Sequence, residues 1–283
     1  MLSPLLLLLL LLAPPPGSPL PLRLPPLTSP PPLPLTYSNP TGALLTPVRP
    51  GLYLAERPFY PSLPGLASTD VSCKMAIAVL PSGRLWLHSP VQLTPALAAA
   101  LAALGEVAFI VTPNTEHQKF APQWIDAYPG ARSYACPNLR PADPPAPWGE
   151  FLRPGAPPPL EWEGAIEMCL VPESVPGVGR SFFNEVVFLH RTSRALLCTD
   201  LYWNYPSSLP SVPVPRSTRL WKFFMDKPYR AIYNRILADR PAFTELLEKK
   251  VLGDWDWDYI APCHGEPVEE DAKGVLRRHL NLV

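Results

Sequence analysis

The sequence predicts an α/β fold with a mixed sheet. Three observations carry that expectation. Short apolar, β-branched runs alternate with helical stretches from about residue 75 to the end, the order of elements in folds that interleave strands and helices. Two of those runs, Met75–Leu80 and Leu85–His88, are joined by Pro81-Ser82-Gly83-Arg84 and read as a hairpin, so the sheet is not purely parallel. Lastly, a strand, polar turn, helix and strand follow one another over Val107–Asn138, a βαβ unit whose strand ends are where such folds place their chemistry.

Residues 1–50 read as a separate segment. Runs such as Pro14-Pro15-Pro16 and Pro30-Pro31-Pro32 block helices and sheets and favour extended backbone. The apolar run Leu5–Leu12 falls well short of the roughly 20 residues of a membrane span. The segment contains no acidic residue. A signal peptide for the secretory pathway, an organelle transit peptide and a disordered leader all fit that composition. The folded part is expected over residues 51–283.

Within it, Thr94 to Gly105 reads as a helix, with Thr94 as N-cap, Pro95 at the first helical position and Gly105 just past the end. Val107–Val111 is short, β-branched and aromatic, which suits a buried strand. Gln118–Ala127 reads as a short helix ended by Tyr128-Pro129-Gly130, and Arg132–Cys136 as the next strand. Pro141–Pro159 reads as a proline-rich excursion. Ala165–Val171, Glu185–Leu189 and Ala195–Thr199 read as strands, and Thr218–Asp226, Tyr229–Leu237 and Pro241–Leu252 as helices. Tyr259–Ala261 is expected as a short strand and Val268–Leu280 as the closing helix.

The chain has 283 residues and a formal charge of zero, so no basic footprint for nucleic acid is present. The 5 cysteines lie far apart with no CxxC pair, which excludes a disulfide framework and a zinc ribbon. Cys73, Cys136, Cys169 and Cys198 read as small core residues. No Walker loop, GxGxxG or GxSxG elbow occurs. Asp254-Trp255-Asp256-Trp257-Asp258 lacks the spacing of an EF-hand and reads as a segment that packs its Trp rings.

A polar residue follows three of the strands directly: Glu116-His117 after 107–111, Asp200 after 195–199 and His264 after 259–261. Converging at one sheet edge, these side chains would suit a borderline cation such as zinc, or iron or manganese. Each also has a plain structural reading: a hydrogen-bonded loop His, a loop-capping Asp, a first-turn Glu. His88 and His190 read as structural or surface residues, and His279 as a solvated residue of a basic terminal helix.

The segments Leu85–Pro90, Leu104–Asn114, His117, Ala127–Ala131, Asn184–Phe188, Ser193 and Thr199-Asp200-Leu201 resemble the metallo-β-lactamase superfamily. More closely, they are similar to the metallo-β-lactamase-like proteins of plants, algae and cyanobacteria grouped as domain-of-unknown-function family 4336. The resemblance spans roughly residues 70–283. It implies an αββα sandwich with mixed sheets and a metal site at the strand ends. Laid on Thr112–His117, the superfamily motif HxHxDH places Thr112 and Asn114 at its first two His, Glu116 at its Asp and His117 at its last His. Val178, after Pro176-Gly177, stands where a further His is expected. Asp200 matches the bridging Asp and His264 the final His. The resemblance therefore implies a degenerate site with Glu116, His117, Asp200 and His264 as its ligands, holding one zinc, iron or manganese ion or none. If active, the protein is a mononuclear metal-dependent hydrolase in which Glu116 and Asp200 serve catalysis. The rival expectation is a non-catalytic binding or scaffold protein that keeps only the fold, with a small-molecule or protein partner. Plastid targeting by the leader is a further implication.

Overall fold

The first ordered pair is a hairpin: β1 (Thr46–Arg49) runs antiparallel to β2 (Leu52–Arg57). The computed structural model describes residues 33–60, 69–137, 139, 148–173, 181, 183–237 and 240–282. The boundary read at residue 50 falls inside this hairpin. Tyr37, upstream of it, is buried against Val71, Trp203 and Tyr205, so the folded part includes residues before Gly51.

β2 pairs with β3 (Cys73–Val79), and β3 with β4 (Leu85–His88), both antiparallel. The expected 75–88 hairpin is there, its first strand beginning two residues early. Helix α1 (Pro95–Leu104) follows, capped by the Thr94 hydroxyl, which accepts the Leu97 N–H at 3.2 Å. Gly105 closes it for a steric reason. Its backbone is extended, and a Cβ there would lie 2.2 Å from the Gly83 carbonyl oxygen. Then come β5 (Val107–Thr112), α2 (Ala121–Ala127) and β6 (Arg132–Ala135), the two strands running parallel to β4. Gln118–Phe120, read as helix, is a turn that carries the chain from β5 into α2. β7 (Glu150–Phe151), within the proline-rich excursion, adds a short parallel edge strand. This completes a seven-stranded sheet in the order β1-β2-β3-β4-β5-β6-β7.

The second sheet has four strands, β8 (Ile166–Leu170), β9 (Val186–His190), β10 (Ala195–Asn204) and β11 (Tyr259–Gly265), in the order β11-β10-β9-β8. β10 and β11 run well past their expected ends at Thr199 and Ala261. Between them, α3 (Arg216–Phe224) continues through wider π-type turns at Met225–Tyr229, where Pro228 has no N–H to give to a regular ladder. α4 (Arg240–Leu246) passes into a similar turn, Leu247–Asp254, and α5 (Ala272–His279) closes the chain.

Alternation along the strands sorts the core into layers. Ala76, Ala78, Trp86, Phe109 and Val111 of the first sheet face Val186, Phe188, Ala195, Leu197 and Tyr259 of the second. The opposite faces pack outward: Met75, Ile77, Leu87 and Ile110 against Leu97 and Leu101 of α1 and Trp124 of α2. Val187, Leu189, Leu196 and Ile260 pack against Phe243, Leu247, Val251 and Leu276. Each large side chain buried this way contributes roughly 1.5–3 kcal/mol. The result is an α/β/β/α sandwich with two mixed sheets. Trp255 and Trp257 are buried in it while Asp256 is exposed, as the packing reading of that cluster requires. No helix among the described residues is long and apolar enough to cross a membrane.

Candidate metal centre

Strand direction brings the site together. β4 and β5 are parallel, and so are β10 and β11. β3 runs antiparallel to β4, with Ala76 opposite His88, so its first residue, Cys73, lies at the edge where β4 ends. His117 after β5, Asp200 within β10 and His264 within β11 offer ligand atoms that all lie within 4.8 Å of one another.

Asp200 owes its position to a break in the β10–β11 ladder. Pairing runs Cys198 to Pro262 and resumes at Trp203 to His264, leaving Thr199–Tyr202 as a bulge. Such bulges re-aim side chains and free backbone groups from the ladder. The freed N–H groups of Thr199, Asp200 and Leu201 donate to the buried Glu185 carboxylate at 2.6, 2.8 and 2.8 Å. Burial, followed by the charge of Asp200, pushes the Glu185 carboxyl up to about 8, against the pull of those N–H bonds. At the end of β11, Gly265 has φ +81°, and a Cβ there would lie 2.1 Å from the Asn204 carbonyl oxygen. Only glycine lets the chain turn there.

Asn114 holds the other side. Its Oδ1 accepts the backbone N–H of Glu116 at 3.0 Å and of His117 at 2.9 Å. Its Nδ2 donates to Asp200 Oδ2 at 2.5 Å and to Thr199 Oγ1 at 2.9 Å. The buried amide thus sets the His117 turn and the Asp200 bulge in one register.

His264 Nδ1 lies 2.7 Å from the Ser72 carbonyl oxygen and 3.2 Å from that of Val71. Carbonyls only accept, so Nδ1 carries a proton, and in the neutral ring Nε2 presents its lone pair to the site. His264 Nε2 is 3.2 Å from His117 Nε2. Asp200 Oδ2 is 3.3 Å from His117 Nε2, and Asp200 Oδ1 is 3.6 Å from His264 Nε2. Nitrogen and oxygen ligands held roughly 2.0–2.1 Å from a tetrahedral ion lie about 3.3 Å apart. The two imidazole nitrogens and the Asp200 carboxylate, one oxygen toward each ring, lie near that spacing, and their side chains are only 8%, 9% and 13% exposed. A backbone carbonyl that orients a His ligand through its other nitrogen is a regular partner of such sites. The donor set fits a single borderline cation.

The charges support one another. Burial opposes ionisation of Asp200, yet the facing His117, through its charge and hydrogen bond, holds the carboxyl far below its ordinary range. Burial would lower His117 and His264, but the negative charge of Cys263 and then Asp200 hold both above the ordinary imidazole value.

Several residues here were not singled out from sequence. Cys263 Sγ lies 3.3 Å from His117 Nδ1 and 3.5 Å from Cys73 Sγ. Ser89 Oγ lies 2.8 Å from His117 Nδ1 and 3.4 Å from Cys263 Sγ. Cys73 is a core residue, as read, and also lies beside the site. Cys263 precedes His264 and was open to notice. In the sequence Asn114 stands out only as the replacement for a motif His, and Ser89 and Glu185 only within segments of the resemblance; nothing local marks their contacts here.

Glu116, expected as a fourth ligand, stands apart from the converging group. Its side chain is exposed, and its backbone N–H is what joins the network. Thr112 and Asn114 are both fully buried. Pro176-Gly177-Val178 lies outside the described residues. His88 and His190 are buried, so the structural half of their reading holds and the surface half does not. His279, read as solvated, is buried between Tyr202 and Trp203, with ring centroids 4.7 and 4.4 Å away. The basic residues of α5 turn outward while this one turns in.

Layer order, mixed sheets and a polar centre at the strand ends define a metallo-β-lactamase-like fold. Solved structures of that class agree. A metallo-β-lactamase from Hirschia baltica has TM-score 0.53 at 11% identity, covering 84% of this chain and 96% of its own. The metallo-β-lactamase FIM-1 from Pseudomonas aeruginosa, in a mono-zinc form, has TM-score 0.51 at 11% identity, covering 84% and 93%. A putative diflavin flavoprotein from Nostoc sp. has TM-score 0.58 at 10% identity, covering 84% and 94%. At such identities the likeness is one of fold. Among curated proteins none matches. A family model described as Domain of unknown function (DUF4336) matches residues 60–232, and the chain belongs to that family.

Proposed function

We propose that the protein is a metallo-β-lactamase-fold member with a degenerate site that binds one metal ion of the zinc, iron or manganese class and has weak or no hydrolase activity. His117, Asp200 and His264 hold the ion. The observation that carries this is the approach of the two imidazoles, 3.2 Å between their Nε2 atoms, with one Asp200 oxygen 3.3 Å from His117 Nε2 and the other 3.6 Å from His264 Nε2. Structures of the same fold include a mono-zinc form and a metal-soaked flavodiiron core, which supports the reading. Thr112 and Asn114 stand where the superfamily motif has its first two His. Asn114 uses both amide atoms in hydrogen bonds and so has none left to ligate a second ion.

A bound ion supplies Lewis-acid polarisation and a more acidic water. Asp200 would hold the ion, and the exposed Glu116 is the carboxylate free to accept or return a proton near it. A second reading, a non-catalytic binding or scaffold protein, is favoured by the Asn114 amide, which satisfies Asp200 by hydrogen bonding with no ion required. The two are separated by elemental analysis of full-length protein purified without chelator. Close to one equivalent of transition metal, lost in His117→Ala, is expected. Trace metal unchanged by that substitution would establish the scaffold reading.

We also assign the acid-poor, proline-rich leader a targeting role, with the plastid as destination and the secretory pathway as alternative. A reporter fused to residues 1–60 tests it: accumulation in plastids is expected, and cytosolic retention or secretion overturns the assignment.

A further inference from the structure

His117 has two ring nitrogens, and they face different chemistry. Nε2 looks at Asp200 and His264. Nδ1 looks at two buried thiols and a hydroxyl: Cys263 Sγ at 3.3 Å, with Cys73 Sγ 3.5 Å beyond it, and Ser89 Oγ at 2.8 Å. The ligand atoms of Cys73, His117 and Cys263 all lie within 4.8 Å of one another. Cys73 is 5% exposed, Cys263 2% and Ser89 1%. All five cysteines are free of disulfides.

We propose that Cys73, Cys263 and His117 Nδ1 form a second, thiolate-rich position for a thiophilic ion of the zinc type, competing with the Asp200–His264 position for the one His117 ring. The geometry is close to what such an ion needs. Zinc takes sulfur at about 2.3 Å and imidazole nitrogen at roughly 2.0–2.1 Å. In a tetrahedron that places two sulfurs about 3.8 Å apart and sulfur and nitrogen about 3.6 Å apart. The distances here fall about 0.3 Å short of both, a shift within reach of small χ1 changes. Ser89 Oγ is placed to be the fourth donor or to hydrogen-bond a bound water. Two thiolates with imidazole select zinc or softer ions over magnesium or calcium.

Each position finds its supporting partner in the other. When Nδ1 ligates, Nε2–H faces Asp200 Oδ2 at 3.3 Å, the carboxylate that commonly orients a ligating imidazole. When Nε2 ligates, Nδ1–H faces Ser89 Oγ at 2.8 Å. One neutral ring cannot present both lone pairs, so the two positions fill alternately. The thiolate position also spans the sandwich, because Cys73 lies on β3 of one sheet and Cys263 on β11 of the other. An ion there ties the two sheets at the site edge.

The experiment is a Co(II) titration of the reduced full chain, read by absorption. Cobalt bound by thiolate shows a sulfur-to-metal charge-transfer band in the near ultraviolet, which cobalt bound by nitrogen and oxygen lacks. The expected result is that band in the wild type and in Asp200→Asn and His264→Gln, and its loss in Cys73→Ser and in Cys263→Ser. His117→Ala should weaken it at least about 10-fold in affinity. Circular dichroism and thermal unfolding confirm that the serine variants fold. Ion binding should raise the wild-type melting temperature and leave that of Cys73→Ser less changed. Cobalt binding without the band, lost in Asp200→Asn and untouched in the serine variants, overturns this inference while upholding the proposed function. A band that survives loss of both thiols overturns it as well, and no binding in any variant overturns both.

Discussion

Two sets of histidines share this fold, and burial does not separate them. His117 and His264 have side chains 8% and 9% exposed; His88, His190 and His279 are 1%, 0% and 7% exposed. The difference lies in what faces the ring. The first pair meets Asp200 and backbone carbonyls, groups that stabilise an imidazolium or leave a lone pair free for an ion. The other three meet aromatic faces and hydroxyls. Trp86 stacks on His88 at 5.9 Å, and Trp203 packs edge-on to His279 at 4.4 Å. In each of these three, Nε2 has no hydrogen-bond partner. Burial takes His88 and His279 down to about 3 and His190 to about 4, offset only in part at His88 by Cys263. An acceptor supplied by a distant strand turns a core histidine into a site histidine.

The sharpest break of that contrast is removal of the acceptor or of a ligand ring. In a Cys73→Ser background, which leaves only the nitrogen–oxygen position, Asp200→Ala or His264→Ala should lower metal affinity by more than about 100-fold, whereas His279→Phe should leave it unchanged. Isothermal titration with zinc, at matched circular dichroism, checks both. A zinc affinity that falls as far in His279→Phe would erase the distinction.

Asn114→Ala tests the scaffold of the first pair. It removes the acceptor of two backbone N–H groups and a donor to Asp200 in a fully buried place. A loss of about 2 kcal/mol is expected, read from the urea midpoint with an unchanged m-value. A stability equal to wild type would show that the turn stands without its amide.

The second set predicts acid sensitivity. His279 titrates near 3 when folded, below the roughly 6.5 of an unfolded His. As pH falls through that interval the unfolded chain takes up the proton first. Its contribution to stability is therefore complete above about 6.5 and is lost toward 3 at about 1.4 kcal/mol per pH unit. In His279→Phe the plot of unfolding free energy against pH should flatten by that slope relative to wild type, with the curves closest above neutrality. Parallel curves would place a charged or solvated His279 in the native state.

The smallest effect belongs to Ser193, whose hydroxyl lies 2.8 Å from His190 Nδ1. Ser193→Ala should cost about 1 kcal/mol, seen as a modest fall in thermal midpoint, and metal content should not change.

Local sequence carried much of the fold. The α/β class, the capped helix after Thr94, the 75–88 hairpin and the βαβ unit were legible because periodicity, capping and turn chemistry are short-range properties. His117 follows its strand as read, whereas Asp200 and His264 lie inside β10 and β11. The true lengths of β10 and β11 were not legible. Thr199–Tyr202 leaves the ladder as a bulge held by Glu185, and Cys263-His264-Gly265 stays in it, both decided by pairing between distant segments. The start of the folded part was misplaced because β1 carries Pro47 and is followed by Pro50, and it is ordered by pairing with β2. Tertiary structure alone decided the composition of the site. It brought Cys73 to Cys263 across the sandwich, set Ser89 against His117, turned Glu116 outward and drew His279 in. Those contacts join residues far apart in the chain, and no window of sequence reports which strand ends will meet.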